Sequence, residues 1–510
     1  MTVLFLFGLV LFIRVVYIPT GKVWYDEVVS VLTAKESISE IHQICLADTN
    51  TPAYYVLLHY YIQTFGDSEI ALRFLSIIFG LLSSVFIFLI VRELTQNKLL
   101  SQIVLFLIAV SPFHLHYSHE IRAYSLIIFL SSVTLLSLFK RLDKKGPAAF
   151  WDVLYATSLI LGAYLHITYL FYIAALNIFL IVVVIQNNRR DLLVKNFIIP
   201  NVLLAVSVVG FYLLGYPQII PQIKHTIDVK AALSQNPMFQ RTTEDFLSLT
   251  ARVYWYRLLS PGLLVATVAA LFLGFKEMAK RGYSVFLFLL ILGTSLLAPP
   301  QFPSSSRYLA YSFPVVVLLL SFAGYRLVRI GNNFLGGKVR INKALVIIML
   351  LLAVSLSIQS IITSRESRQF CSQQLVSFFE ENNLPESVIL IIPSGERHSL
   401  LYYFKEFTPI KGFNAYIDEF GCGVPLAEDL NANWGSVVDG RNVSYLKNYT
   451  KGFRNIWYVN RFPPADPESL VLGWLVENTN LEKIYYVSCS EIRDDPATKM
   501  PVFLFRNEEI

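Results

Sequence analysis

Two adjacent carboxylates, Asp26 and Glu27, follow the first apolar stretch of the chain within the sequence Val23-Trp24-Tyr25-Asp26-Glu27. A carboxylate at the edge of a hydrocarbon region is costly, so such a pair calls for either full solvation or a chemical role. A carboxylate within hydrogen-bond reach of a hydroxyl is a general base, because it takes the proton as the hydroxyl oxygen attacks. The pair therefore predicts acid–base chemistry just outside a membrane, with a solvated loop pair as the alternative.

Three further stretches combine ionisable and aromatic residues, and each lies beside an apolar run. They cover residues 48–73, 111–125 and 302–314. An amphiphilic substrate presents its headgroup at this depth, where a fixed cation attracts an anion more strongly than it does in bulk water. The composition of these stretches suits a sugar carried on a lipid phosphate.

The composition of the whole chain indicates a polytopic membrane protein. The 510 residues are 55% hydrophobic and only 15% charged, with a mean hydropathy of +0.54, which exceeds what a single soluble core needs. The net charge of +6 is modest, and the basic residues form short clusters between apolar runs, which argues against a nucleic-acid-binding protein. No small-residue cleavage site follows the first apolar run, so we expect a retained anchor.

Apolar runs long enough to cross hydrocarbon as helices recur along the first 362 residues. The eleven predicted spans cover residues 3–19, 70–91, 99–112, 123–139, 151–166, 168–186, 197–214, 258–275, 283–298, 308–325 and 344–362. Lysine and arginine concentrate in alternate, short loops, which by the positive-inside rule are cytoplasmic. This rule predicts a cytoplasmic N-terminus, and it places the loop 20–69 and the tail after residue 362 on the outer side.

The tail, residues 363–510, has mixed charges, turns and short apolar strings, and it predicts a small extracytoplasmic α/β domain. The predicted strands are Ser387–Pro393, Asn455–Val459, Lys483–Val487 and Pro501–Phe505, and the predicted helices are Gln373–Glu381, Ser399–Phe404 and Glu468–Glu477. The predicted fold is thus an all-α polytopic membrane domain, residues 1–362, with the first outer loop 20–69 as its catalytic loop, followed by this α/β domain.

Four motifs follow one another in a recognisable order. They are Asp26-Glu27, then Thr51-Pro52 with Tyr54-Tyr55, His59 and residues 65–73, then Ser111-Pro112 with residues 117–124, and finally Arg307-Tyr308-Leu309 with Pro314. In this order they resemble the GT-C superfamily of polyprenyl-phosphate-sugar-dependent glycosyltransferases, in its protein O-mannosyltransferase-like and aminoarabinose-transferase-like branch. The chain departs from the pattern at 48–52, where bacterial relatives often carry Asp-x-His-Pro-Pro, and at His119, where glutamine is more usual.

The resemblance implies an inverting glycosyltransferase that takes its sugar from a polyprenyl phosphate at the outer leaflet. Asp26 would be the general base for an acceptor hydroxyl, and Glu27 the second carboxylate of the catalytic loop, which holds the loop or contacts the acceptor. Arg122 and Arg307 would bind the donor phosphate, with Lys224 or His225 as a third group. The implied sugar and acceptor pocket consists of Tyr25, Tyr54, Tyr55, His59, Tyr117, Glu120 and Tyr124.

Several alternatives stay open at the level of sequence. A transporter or flippase for a lipid-linked sugar would need a similar basic and aromatic cavity, and a non-catalytic subunit of a glycan-assembly complex would act through its tail. The spacing of His114, His116 and His119 matches no common metal template, although a divalent cation remains open. The acceptor is a lipid, a protein or a polymer. We expect the plasma membrane of a bacterium, with the endoplasmic reticulum as the alternative.

Two cationic positions have a simpler interpretation as well. Arg122 and Arg307 both lie near membrane interfaces, where arginine side chains commonly extend to lipid headgroups. Arg14, late in the first apolar run, is expected either to reach the outer interface or to contact a lipid phosphate.

Overall fold

The computed structural model describes residues 2–16, 18, 23, 25–46, 50–142, 148–187, 198–215, 310–315, 317–318, 372–382, 384–392, 413–414, 446–460, 469–488 and 499–507. Helices dominate the part up to residue 215. They are α1 (Thr2–Val16), α2 (Tyr25–Lys35), α3 (Ile38–Leu46), α4 (Pro52–Phe65), α5 (Glu69–Thr95), α6 (Lys98–Ala109), α7 (Pro112–Tyr117), α8 (Tyr124–Leu142), α9 (Ala148–Leu165), α10 (Tyr169–Asn187) and α11 (Ile199–Val209), and a π-helical turn, Gly210–Gly215, follows α11.

The first seven predicted spans coincide with α1, α5, α6, α8, α9, α10 and α11, the last extended by its π-helical turn. A turn at 166–168 keeps α9 and α10 separate. By length and composition α5 and α8 are able to cross a membrane, while the other five are shorter apolar helices. The predicted spans 258–275, 283–298 and 344–362 lie outside the described residues, and 308–325 is described at 310–315 and 317–318 only.

The stretch 20–69, predicted as a loop, contains the helices α2, α3 and α4. Local signals fix the ends of α4 and α5. Pro52 at the first position of α4 has no amide hydrogen to leave unbonded, and Gly66, with φ of 81°, ends that helix. The Ser68 side chain then accepts a hydrogen bond from the Ala71 amide at the start of α5. The described part of this stretch is therefore a set of helices, and the first of them, α2, carries Asp26 and Glu27.

The helices up to residue 215 share one buried core. The longest helix, α5, packs against both α6 and α8, α8 packs in turn on α9, and α1 lies along α6 and α5. Gly80 in the middle of α5 allows the residue that follows α7 to approach closely, because a Cβ atom there would lie 2.2 Å from the Ser118 Oγ atom. The segment between α7 and α8 is thereby seated directly on α5.

The described part of the tail contains a five-stranded sheet and three helices. The strands are β1 (Ser387–Ile392), β2 (Phe413–Asn414), β3 (Asn455–Asn460), β4 (Asn480–Ser488) and β5 (Lys499–Arg506), and the helices are α12 (Ser372–Glu381), α13 (Leu446–Thr450) and α14 (Leu470–Asn478). The strand order is β2-β1-β3-β5-β4, with β2, β1 and β3 parallel and β5 antiparallel to both of its neighbours.

Both faces of this sheet are covered, because alternate strand residues point to opposite sides. On one face Phe379 of α12 joins a cluster with Trp457, and on the other face Leu475 of α14 joins a cluster with Ile456. The four predicted strands and two of the three predicted helices are confirmed. The predicted helix Ser399–Phe404 lies outside the described residues, and β2 and α13 had no predicted counterpart.

Candidate active site

Asp26 and Glu27 occupy the first turn of α2, where the positive end of the helix dipole favours negative charge. Both are buried, with 5% of Asp26 and none of Glu27 accessible to solvent. The Ser30 hydroxyl donates to the Asp26 carbonyl oxygen at 2.8 Å, one turn further along the helix. The pair is therefore a fixed, internal feature, which excludes the interpretation as a solvated loop pair.

Glu27 uses both of its carboxylate oxygens to bind neighbouring elements. Arg73 of α5 donates from Nη1 to Oε1 at 2.7 Å and from Nη2 to Oε2 at 3.3 Å. The Ile121 amide donates to the same Oε1 at 2.9 Å. Paired donors of this kind suit the planar guanidinium group, so Glu27 is held in a two-point ion pair.

Arg73 extends this ion pair into a network at the N-terminal end of α5. It also donates to Glu69 Oε1, from Nη2 at 2.8 Å and from Nε at 3.1 Å, and to the His119 carbonyl oxygen at 2.6 Å. Its side chain is fully buried, whereas that of Glu69 is 16% exposed. Arg73 thus joins α2, α5 and the segment that follows α7.

The segment 118–122, hereafter the Arg122 turn, is bound to its neighbours largely through backbone atoms. Besides the contacts of Arg73 and Glu27, the Ser76 hydroxyl donates to the Glu120 carbonyl oxygen at 2.5 Å. The Arg122 amide donates to the same carbonyl oxygen at 2.8 Å and closes the turn. The direction in which Arg122 leaves the turn is consequently fixed.

Arg122 reaches from this turn to the first turn of α2. Its Nη1 donates to the Ser30 hydroxyl at 3.2 Å and to the Asp26 carbonyl oxygen at 3.4 Å, and its Nη2 donates to Asn50 Oδ1 at 3.2 Å. Burial disfavours its charge, but Tyr55, Tyr124 and the carboxylates of Asp26 and Glu120 hold its pKa well above the ordinary value. A permanent cation therefore contacts the backbone of the helical turn that carries the Asp26 carboxylate.

Aromatic residues surround this pair of charges. Tyr54 and Tyr55 lie in the first turn of α4, and Tyr117 and Tyr124 flank the Arg122 turn with ring centroids 5.3 Å apart. All four side chains are buried. Burial raises the pKa of Tyr54 above its ordinary range, so that its hydroxyl stays protonated at neutral pH. The Thr51 hydroxyl, which precedes α4, is buried and makes no hydrogen bond within the described residues.

His59 and Glu120, also predicted for the pocket, differ in position. Glu120 is buried beside Arg122, with His116 Nε2 3.8 Å from its Oε2. His59 instead donates from Nδ1 to the Ala34 carbonyl oxygen at 2.9 Å, and its Nε2 accepts from Gln63 at 2.8 Å. Ala34 is eight residues beyond Asp26, about 12 Å along α2 at 1.5 Å per residue. The structure therefore does not bring His59 to Asp26.

Three of the predicted phosphate-binding residues, Arg307, Lys224 and His225, lie outside the described residues, and Tyr25 is described by its backbone alone. The chain just beyond Arg307 is in contact with the rest of the site. Phe313 stacks on Phe113 of α7 with ring centroids 5.4 Å apart. Residue 310 is three positions after Arg307, and three residues of fully extended chain span at most about 11 Å.

Arg14 and the histidines of α7 form a separate internal network. The Arg14 side chain is fully buried, which contradicts the expectation that it reaches the interface or a lipid phosphate. His114 Nδ1 accepts from Arg14 at 2.5 Å, and its Nε2 donates to the Ser83 hydroxyl at 2.8 Å. Burial and the Arg14 charge hold the pKa of His114 well below its ordinary value. In the part of the chain that the structure describes, no group of three or more histidine, cysteine or acidic residues is arranged to hold a metal ion.

Four residues that form hydrogen bonds in this site were given no role from the sequence. They are Arg73, Ser30, Ser76 and Asn50. For Arg73 a signal exists, because it stands four positions after Glu69 in a helix that is otherwise apolar, and an arginine in such a place needs a partner. The other three carry no pattern of their own. Their roles arise only from contacts between positions that are 44 to 92 residues apart in the sequence.

Comparisons with known proteins agree with this arrangement. Residues 49–213 match the family model described as dolichyl-phosphate-mannose-protein mannosyltransferase. The fold is similar to that of ArnT from Cupriavidus metallidurans in the apo state, with a TM-score of 0.59 and 12% identity over 98% of this chain and 97% of that one. The structure of the same protein bound to undecaprenyl phosphate gives a TM-score of 0.56 with equal identity and coverage. No curated protein matches the chain in sequence.

The family match covers α4 to α11 and the Arg122 turn, and thus Arg73 and Arg122, but not α2 with Asp26 and Glu27. The likeness to ArnT extends over almost the whole chain. The ordered motifs and these findings agree with one another: residues 49–213 are similar to the mannosyltransferase family model, and the chain has the fold of ArnT.

Proposed function

We propose that the protein is an inverting glycosyltransferase that moves a sugar from a polyprenyl phosphate to an acceptor hydroxyl, with Asp26 as the general base. One observation carries the proposal. The Arg122 guanidinium donates to the main-chain carbonyl oxygen of Asp26 and to the Ser30 hydroxyl, and the Asp26 carboxylate raises its pKa, so a proton acceptor and a permanent cation lie close together at the start of α2. The reaction needs these two groups, one for the nucleophile and one for the leaving group.

The reaction follows from these two roles. Asp26 accepts the proton of the acceptor hydroxyl while its oxygen attacks the anomeric carbon from the face opposite the phosphate. The bond between the anomeric carbon and the phosphate oxygen breaks, and its electron pair stays on the polyprenyl phosphate. Arg122 stabilises the charge that develops there, because a guanidinium forms paired hydrogen bonds with phosphate oxygens. Arg307, together with Lys224 or His225, supplies further positive charge.

Glu27 has a positioning role in this proposal and does not take a proton. Both of its oxygens already accept hydrogen bonds from Arg73 and Ile121, and it is fully buried. Through these contacts it orients the start of α2 and therefore Asp26. Tyr54, Tyr55, Tyr117 and Tyr124, with the Thr51 hydroxyl and Glu120, line the sugar and acceptor pocket, and the backbone position of Tyr25 beside Asp26 makes its side chain a further candidate.

The orientation of the protein is part of the proposal. The basic residues of alternate loops support eleven crossings, a cytoplasmic N-terminus and an extracytoplasmic site. The α/β region after residue 363 then lies on the same side as the site, where it selects or positions the acceptor. We place the protein in a bacterial plasma membrane. The ArnT structure with undecaprenyl phosphate supports a donor on a lipid of this type.

The test is sugar transfer from radiolabelled polyprenyl-phosphate sugars in membranes that carry the wild type or the Asp26→Asn variant at matched levels of folded protein. The variant keeps the shape of the side chain but is no longer a base, so we expect at least about a hundredfold loss of transfer. Asp67→Asn is the matched control, because Asp67 is an exposed carboxylate paired with Lys35. Undiminished transfer by Asp26→Asn would rule out the proposed mechanism, and the labelled product identifies the acceptor class.

A further inference from the structure

Arg14 is a cation in the last turn of α1 and lies inside the protein. Its side chain is fully buried in a helix that is otherwise apolar. Within the described residues no carboxylate forms an ion pair with it, and its partners are neutral groups. A buried charge that gains no opposite charge is costly, and an apolar side chain would fill the same space at lower cost. This cost indicates that the guanidinium has a specific task.

The contacts of Arg14 show which parts of the protein it joins. Its Nε donates to the Ser118 hydroxyl at 3.2 Å, at the start of the Arg122 turn. Its Nη2 donates to the Ile108 carbonyl oxygen at 3.4 Å, near the end of α6, and to His114 Nδ1 in α7. The other ring nitrogen of His114 donates to Ser83 of α5. One side chain of α1 thus links α5, α6, α7 and the Arg122 turn.

The backbone of Arg14 makes a second link to the same turn. Its carbonyl oxygen, one of those left without a helical partner at the end of α1, accepts a hydrogen bond from His119 Nε2 at 2.7 Å. Arg14 therefore holds Ser118 through its side chain and His119 through its backbone. Arg122 follows three residues after His119. The Ser76 hydroxyl donates to the carbonyl oxygen of Glu120, which lies between these two residues, and this hydrogen bond completes the path from Arg14 to Arg122.

We propose that Arg14 is a positioning residue for glycosyl transfer, which acts through His114 and Ser118 to fix the Arg122 turn and thereby the Arg122 guanidinium. The inference rests on the proposed function, because it requires Arg122 to bind the donor phosphate. A displacement of a binding group by about 1 Å is sufficient to lower catalytic efficiency by about a hundredfold. Loss of Arg14 should therefore weaken donor binding, although Arg14 does not touch the donor.

The experiment measures the affinity of the purified full-length protein for undecaprenyl phosphate, by native mass spectrometry, together with KM and kcat for transfer. Arg14→Gln is expected to weaken binding by at least about tenfold and to raise the donor KM. Arg14→Lys keeps the charge, but its single nitrogen cannot serve Ser118 and His114 together, so it should fall between Arg14→Gln and the wild type. A purely structural role would lower the number of active molecules, and hence the apparent kcat, with KM unchanged.

Two comparisons make the test specific. Tyr172→Phe removes another buried hydrogen bond, from the Tyr172 hydroxyl to the Ser131 carbonyl oxygen, and should leave the donor KM unchanged. Arg14→Gln should add little further loss in an Arg122→Lys background, because both changes act through the same guanidinium. If Arg14→Gln does not fold, Ser118→Ala removes one of its links and is compared in the same way.

The outcomes separate the inference from the function on which it rests. Wild-type affinity and KM in the Arg14 variants, or full additivity with Arg122→Lys, would overturn the positioning role alone. If Arg122→Lys itself binds undecaprenyl phosphate as tightly as the wild type, the proposed phosphate site is wrong, and the inference is overturned with it.

Discussion

The ion pair between Glu27 and Arg73 makes the stability of the fold depend on the same residues that orient Asp26. Replacing Glu27 by leucine removes one of the two carboxylates that pair with the fully buried Arg73 in the described part of the chain, leaving Glu69, and it removes the acceptor of the Ile121 amide. Breaking a buried pair by removing one partner costs about 3–5 kcal/mol. Because Glu69 remains in place, we expect the lower end of this range, about 3 kcal/mol.

The double variant Glu27→Leu/Arg73→Met distinguishes a true pair from two independent losses. Two independent changes would cost about 6 kcal/mol together, whereas removing both charges avoids the unpaired buried ion and should cost about 3 kcal/mol. The remaining loss of stability comes from the His119 carbonyl oxygen and the Ile121 amide, because the double variant removes their hydrogen bonds to Arg73 and Glu27. The double variant should therefore fold and yet transfer sugar poorly.

The assay is reversible unfolding of the purified protein in mixed detergent and SDS micelles, followed by far-UV circular dichroism. Lys35→Gln is the control, because it breaks the pair of Lys35 with Asp67, two side chains that are 42% and 46% exposed. Exposed pairs contribute about 0–1 kcal/mol, so this change should be nearly silent. A loss below about 0.5 kcal/mol for Glu27→Leu, or an additive double variant, would refute the reasoning.

Two further predictions concern the packing beneath the site. Gly80→Ala places a Cβ atom 2.2 Å from the Ser118 Oγ atom, so it should lower the free energy of unfolding by about 1–3 kcal/mol in the same assay. Gly8→Ala is the control: its Cβ atom meets no neighbour, so the change should be neutral or slightly stabilising. His114 has a folded-state pKa below its unfolded value, so its contribution to stability is present above about pH 6.5 and is lost as the pH falls. The melting temperature should therefore decline on acidification, and His114→Gln should reduce that slope; an unchanged slope would contradict the assignment of a neutral, buried His114.

The elements of the fold follow from local patterns in the sequence to a large extent. Apolar runs indicate α1, α5, α8 and the other spanning helices, and short apolar strings between turns indicate the strands of the tail. The helices α2 to α4 were not predicted, because their apolar residues are interrupted by polar ones and their helical form depends on packing against one another and the bundle. Propensity alone does not decide such segments.

The site was predictable in its residue types and not in its connections. The adjacent carboxylates and Arg122 can be recognised in the sequence because an ionisable side chain beside hydrocarbon is costly and therefore rare. The pairing of Glu27 with Arg73 joins positions 46 residues apart, and no spacing rule indicates it. His59 shows the converse, because its type and motif suggested the pocket while its contacts hold it at the far end of α2.

The Arg122 turn is held at His119, Glu120 and Ile121 by main-chain atoms, two carbonyl oxygens and one amide hydrogen. Any amino acid except proline supplies the same three groups. The shape of the turn is thus set by Arg73, Ser76 and Glu27, which bind its main chain. In a library of randomised variants, folding should tolerate only apolar residues at the fully buried Ile121 and few substitutions at Glu27 or Arg73.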